Sequence, residues 1–247
     1  RTEPKPFVDL LSQAFENQSV TVSEEQIPEE ADNLVCLLEG DSVVATTPLS
    51  ELSEAFLLVN VDRYRTGTRQ TDIGTFPDVL TGLNEIEFVV KGFPHSAKEK
   101  LLLIVISRFI EYRALQNGTG ELHGTFQRLS RLDDEYGTRK MYEWLADSGV
   151  DTHIYGVHDD ADAASDLDVT VHEGTSDEYR RSWVVVFTPE ENEDGDEDGD
   201  GDESDDDAST DHVALVAIEI GPNVWQSVWT YDPNCAKRVR DYVRRNF

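Results

Sequence analysis

Two apolar runs constrain this chain more than anything else in it. Ser182-Trp183-Val184-Val185-Val186-Phe187 and Val213 to Ile218 are each almost continuously hydrophobic. That is the pattern of strands covered on both faces rather than one. Between them lies Glu190 to Asp211, with fourteen acids and no base, a composition that cannot build a core. The segment 190–211 therefore reads as a disordered hairpin insertion joining two strands of one sheet.

The elements around this pair follow from periodicity and punctuation. Phe7 to Phe15 carries a helical apolar face, and Val20–Ile27, Asn33–Leu38 and Ser42–Thr46 read as short strands. Thr47 to Asn60 reads as a helix opened by Pro48, Phe76 to Leu83 as a helical turn and Ile86 to Val90 as a strand. Ser96-Ala97-Lys98-Glu99 fits a capping box. It leads into a helix over Leu101 to Leu115, apolar nearly all round in its first half and stopped by Asn117-Gly118. Such a helix must be buried or lie in a homodimer interface. Glu121 to Leu129 is expected to be a strand and Asp134 to Ser148 a helix ending at Gly149. Strands are expected at Thr152–Val157, Val169–Glu173, Tyr179–Phe187, Val213–Ile220 and Val224–Tyr231. Asp232-Pro233 then opens a last helix, Asp as N-cap and Pro at N1, with Val239, Tyr242 and Val243 as its buried stripe. The fold class is α+β. It comprises a mixed, largely antiparallel sheet flanked by helices over 96–247 and a smaller N-terminal α/β segment over 1–95.

Charge sets the environment. The 51 acids and 21 bases give a formal net charge of -30, and 37 acids still face 21 bases outside the acidic tract. Self-repulsion of that size opposes compaction in dilute buffer. In molar salt, with a Debye length of about 3 Å, it is largely screened. Together with fifteen Arg against six Lys, this reads as a cytoplasmic protein of a halophilic archaeon. The sign disfavours sequence-independent binding to nucleic acid or anionic lipid. No apolar run approaches a membrane span. Two cysteines do not make a disulfide framework, and Cys36, within an apolar run, reads as a small core residue.

Chemistry-bearing motifs are few. Asp194, Asp196, Asp198 and Gly199 match the opening of an EF-hand loop. The twelfth position is Asp205 and the eighth is Gly201, which fits a solvated acidic loop better than a calcium site. His153 and His158, with Asp159, Asp160 and Asp162, form the densest histidine cluster. Five residues apart on a strand they point to opposite faces, so joint metal ligation is awkward. His95, His123, His172 and His212 read as isolated, and no metal ligand set is assigned. No phosphate-binding, dinucleotide-binding, zinc-protease or nucleophile-elbow motif occurs, and no cofactor is implied.

Two groupings remain. Lys237, Arg238, Arg240, Arg244 and Arg245 place five of the 21 bases on the last helix. They read either as a solvated face or as a docking face for an acidic partner or a nucleic acid. Phe126, Gln127, Tyr155, Arg180, Trp183, Trp225, Trp229 and Tyr231 gather aromatic and polar side chains in the same half. They read as core or as the wall of a ligand pocket.

Several longer strings carry a likeness. Ser107-Arg108-Phe109-Ile110-Glu111, Gly118 to Ser130, Arg139 to Gly156, Glu178 to Trp183 and Glu219 to Pro233 follow one another in order. Gly92-Phe93-Pro94 and Lys98-Glu99-Lys100 precede them. This region resembles the DICT sensory domain in its haloarchaeal form, apart from the long acidic insertion. The resemblance implies a sensory input module of the kind associated with cyclic-dinucleotide synthases and two-component proteins, with a suggested link to light responses. It implies no catalytic residues. With no kinase, receiver or helix-turn-helix evident, output would pass through a signalling or transcription-regulator partner. The expectation is therefore a non-enzymatic sensor of a small ligand or of a light- or redox-related state. The rivals are a DNA-associated regulator using the basic last helix, and a metal-dependent hydrolase built on His153, His158 and nearby acids.

Overall fold

The computed structural model describes residues 9, 12–16, 20–23, 33–58, 76–91, 100–133, 137–159, 164–190 and 211–247. The fold is α+β. One sheet has two strands, β1 (Leu34–Glu39) and β2 (Ser42–Pro48). The other has seven: β3 (Phe88–Lys91), β4 (Glu121–Arg128), β5 (Asp151–Val157), β6 (Thr170–Glu173), β7 (Ser182–Thr188), β8 (Val213–Gly221) and β9 (Val224–Thr230). Its order is β3-β9-β8-β7-β4-β5-β6. β3–β9, β8–β7 and β7–β4 are antiparallel, while β4–β5 and β5–β6 are parallel. The helices are α1 (Leu49–Leu58), α2 (Asp78–Thr81), α3 (Leu101–Asn117), α4 (Thr138–Ala146), α5 (Asp177–Arg181) and α6 (Pro233–Asn246).

The chain forms two compact units, Arg1–Ile106 with Glu219–Val228, and Ser107–Ile218 with Trp229–Phe247. In the first, β1 and β2 pair across Gly40, which sits at φ 60. The Val79 amide donates to Thr47 Oγ1 at 3.1 Å, tying α2 to β2. Phe15, Leu52, Leu80, Phe88 and Trp225 make its core, with Phe15 and Phe88 ring centroids 6.0 Å apart.

In the second unit the two apolar runs are neighbours, as their composition requires: Phe187 pairs with Val213 and Ser182 with Ile218. Alternation along β4 divides its side chains between two faces. Leu122, Gly124 and Phe126 face α4, where the Phe126 and Tyr142 rings meet edge to face at 5.2 Å. Glu121, His123 and Thr125 face the other way, toward α6. Ala236 and Val243 of α6 complete a core with Tyr155, Val157, Tyr179, Val184, Val186 and Ala214. Residues 102–108 of α3 are all buried.

Several expectations are corrected. Thr47 and Pro48 end β2 instead of opening a helix, and the Leu49 amide donates back to Asn33 O at 2.8 Å. Tyr179 lies in α5 rather than in a strand. Asp177 and Glu178 in that helix's first turn, and Arg180 and Arg181 in its last, match its dipole. The helix expected from Asp134 begins at Thr138, after Gly137 at φ 73. Residues 20–23, the described part of the strand expected at Val20–Ile27, lie in neither sheet. Tyr242 is 52 % exposed and Cys36 lies on an exposed strand face, so neither belongs to the core. The capping box at Ser96 and most of the acidic tract fall outside the described residues, as does much of the helix at Phe7.

Candidate functional site

The sequence candidates fall into separate places. Phe126 and Gln127 end β4, where the register with β5 shifts between Thr125 and Arg128. Gln127 sits there at φ 53, the left-handed region, and its side chain is buried. A non-glycine residue held in that conformation stores strain, and such residues concentrate at functional sites. Beyond Gly124↔Val185 the ladder to β7 gives way to a side chain. Thr125 Oγ1 donates to Ser182 O at 3.1 Å and accepts from Val184 N at 2.8 Å. This junction brings the first residues of β7, Ser182 and Trp183, beside the last of β4. Trp183 Nε1 donates to Ser107 Oγ at 3.0 Å. Arg180, on α5 immediately before β7, is exposed and donates from Nε to Thr175 O at 3.1 Å. Phe126, Gln127, Arg180 and Trp183 thus share one end of the sheet. It is also the carboxyl end of the parallel β4–β5 pair, where α/β sheets characteristically bind ligands.

The remaining aromatics lie elsewhere. Trp229 and Tyr231 form an edge-on cluster with Phe109 of α3, centroids 6.4, 6.2 and 5.0 Å apart. Trp225 belongs to the first unit, with Lys100 Nζ 5.4 Å from its ring. Alternation along β9 does put Trp225 and Trp229 on one side, but at 1 % and 2 % exposure both are core anchors. Tyr155 is 1 % exposed and faces α6.

Tyr155 belongs to a cluster absent from the sequence reading. His123 and His172, expected to be isolated, meet His153. His123 pairs with His153 across β4–β5, and Tyr155 with His172 across β5–β6. Period two carries all four side chains to one face. The His123 and His153 rings stack at 4.6 Å and 13°, and Tyr155 stacks on His172 at 4.3 Å and 8°. His123 Nδ1 lies 2.9 Å from Tyr155 Oη, and His123 Nε2 lies 3.4 Å from Glu121 Oε2. His153 Nδ1 lies 3.0 Å from His172 Nε2, and His153 Nε2 lies 3.1 Å from Asp151 Oδ2. His158 pairs with Glu173 Oε1 at 2.8 Å.

Carboxylates only accept, and this fixes the protons. His123 carries its hydrogen on Nε2 toward Glu121 and accepts from the Tyr155 hydroxyl at Nδ1. His153 carries its hydrogen on Nε2 toward Asp151 and accepts from His172 Nε2–H. Burial, then the neighbouring His153, pushes the His123 pKa from 6.5 to about 4 against the pull of Glu121. His172 is lowered for the same two reasons. Burial raises the Tyr155 phenol above its ordinary range. One sequence signal could have found the cluster. Glu121-Leu122-His123 and Asp151-Thr152-His153 open two strands with the same acid-x-histidine spacing.

Glu121 also serves α6. Arg244 Nη1 lies 3.3 Å from both its carboxylate oxygens, and Arg240 Nε lies 3.9 Å from Oε2. Arg240 is held besides by Asp241 at 2.9 Å. Of the docking candidates, Arg240 and Arg244 therefore bind within the unit, whereas Arg238 and Arg245 are exposed and Lys237 is half-buried. A second buried polar group lies on the opposite face. Arg108, 6 % exposed, bonds Glu111 and Thr138. Burial, with the Glu111 charge behind it, drives the Tyr142 phenol well up. Among the described residues no group of three or more His, Cys, Asp or Glu is arranged to hold a metal ion, and no helix is long and apolar enough to cross a membrane.

These features describe a sheet carrying a strained, polar bulge and a buried titratable array. The family model described as "Sensory domain in DIguanylate Cyclases and Two-component system" matches residues 79–194. That stretch, just under half of the chain, is similar to the DICT sensory domain; β8, β9 and α6 lie beyond the match. No curated protein and no solved structure matches the chain.

Proposed function

We propose that this chain is a non-enzymatic sensory and regulatory protein. It takes up a small ligand, or a light- or redox-related state, at the bulged end of β4 and passes the change to a partner protein. The observation that carries the reading is the match of residues 79–194 to a sensory-domain family. Support for the place comes from Gln127, held left-handed beside Phe126, Trp183 and the exposed Arg180. Strain of that kind persists where the surroundings enforce it. The partner, a two-component protein or a transcription regulator, would dock on α6 through Lys237, Arg238, Arg240, Arg244 and Arg245. The acid-rich composition supports placing this exchange in the high-salt cytoplasm of a halophilic archaeon.

Native mass spectrometry of the chain purified in high salt tests the reading. A retained small molecule should appear on the wild type and be lost from Arg180→Ala and Trp183→Leu. Bare chain mass throughout, even after incubation with the small-molecule fraction of a cell extract, would sink the ligand reading. Turnover of a substrate by the purified chain would sink the non-enzymatic one.

A further inference from the structure

We propose that Glu121, His123, His153, His172 and Tyr155 form a proton-sensing array, which gains one proton on acidification and thereby loosens the helix α6 lying against it. The device needs no ligand at the bulged end of β4 and stands apart from that reading.

The first support is the hydrogen count. In its neutral form the array makes four hydrogen bonds: Tyr155 O–H to His123 Nδ1, His123 Nε2–H to Glu121, His172 Nε2–H to His153 Nδ1, and His153 Nε2–H to Asp151. An added proton has one place to go without breaking the set. It goes to His172 Nδ1, which takes no part in these four bonds, and the charge is shared with His153 across the 3.0 Å contact. A second proton would set N–H against N–H across that contact. A proton on His123 would stack one cationic ring on another at 4.6 Å. The array therefore takes up one extra proton on acidification, not two or three.

Access has the same polarity. His123 is 0 % exposed, whereas the His153 side chain is 19 % exposed and β6, bearing His172, is the edge strand. The proton enters at the outer end of the array.

The second support is the connection to α6. Every charged or titratable group set against the array counts here. Glu121 comes from β4, Asp151 and Tyr155 from β5, and His172 from β6, where Glu173 is taken by His158. α5 contributes Tyr179. α6 contributes Arg240 and Arg244, with Asp241 beside Arg240. Glu121 is common to both sides, accepting from His123 and from Arg244. Phe247, following α6, meets the Tyr155 ring edge-on at 5.9 Å. Positive charge arriving at His153, whose ring stacks at 4.6 Å on the His123 ring that donates to Glu121, opposes the Arg244 guanidinium on the same carboxylate, and coupling between two binding events is reciprocal. A proton in the array therefore opposes Arg244 and weakens the seating of the last turn of α6.

Hydrogen exchange of the α6 amides of the full chain, expressed as protection relative to the unstructured chain at each pH, tests this. Protection should fall about tenfold between about pH 7.5 and about pH 4.5, the mark of a one-unit difference in proton affinity between seated and released α6. His153→Gln together with His172→Gln keeps a donor and an acceptor at that contact and leaves no imidazole there to take the proton, so protection in this variant should stay level. A flat wild-type profile, or an equal fall in the variant, overturns the proposal. Imidazole NMR of the wild type gives a reading independent of how the variant folds. His123, His153 and His172 should gain one proton among them over this range. Three full titrations would overturn the proposal, as would stoichiometric zinc that blocks titration and makes the cluster a metal site.

Discussion

Replacing His123 by glutamine should remove a defined part of the acid sensitivity of folding. His123 is fully buried and stays neutral down to about 4, while its ordinary value is 6.5. Between these values the unfolded chain binds a proton that the folded chain does not, so stability rises with pH across the window and is lost as pH falls. The contribution is fully present above the unfolded value and disappears progressively toward the folded one. The whole shift is worth about 3 kcal/mol, of which about 2 kcal/mol is lost by pH ~5. Glutamine preserves the contacts, because its carbonyl can accept from Tyr155 and its amide can donate to Glu121. The assay is urea unfolding of wild type and His123→Gln at about pH 7.5 and about pH 5, at one salt concentration. The many carboxylates titrate alike in both proteins, so the difference between the two pH dependences isolates His123. Wild type should lose about 2 kcal/mol more than the variant. Parallel pH dependences would refute the argument, because a neutral buried imidazole could then not be the source.

Three further outcomes are expected. A Cβ on Gly124 would collide with the Tyr142 hydroxyl oxygen. Gly124→Ala should therefore cost about 1–3 kcal/mol by thermal melting, and Tyr142→Phe in the same chain should restore most of the loss. Glu111→Gln leaves the Arg108 guanidinium buried without its counter-charge and should cost about 3–5 kcal/mol in denaturant unfolding, while Arg108→Met with Glu111→Leu should cost far less than the sum of the single changes. Asp232 accepts from the Asn234 and Cys235 amides at 2.7 and 3.0 Å, so Asp232→Ala should lower stability by about 1 kcal/mol and increase exchange in the first turn of α6.

Much of the architecture could be read from local chemistry. Asp232-Pro233 opens a helix and Asn117-Gly118 closes one because caps act over a few residues. The runs at Ser182 and Val213 declare buried strands, and Glu121 to Arg128 alternates as a strand should. Strand order was not legible. β4 enters the sheet between β7 and β5, and only that placement turns His123, His153 and His172 into neighbours. Separations of 30 and 19 residues carry no periodic signal. Tyr179 misled for a different reason: only Arg180 and Arg181 separate it from an apolar strand, and a five-residue helix has too little sequence to announce itself. The aromatic candidates show the limit most plainly. Trp225 and Trp229 alternate as a pocket wall would, yet the same spacing serves a core, and burial on the far side decides between them.

The pairing of Phe187 with Val213 has a practical consequence. The chain leaves β7 and re-enters β8 at adjacent points, so whatever joins them begins and ends at one fixed doorway. Doubling the length of such a connection adds only about 0.6 kcal/mol of closure entropy. Here a spliced reporter, or removal of the acids within 191–207, should leave the register of β7 with β8 unchanged.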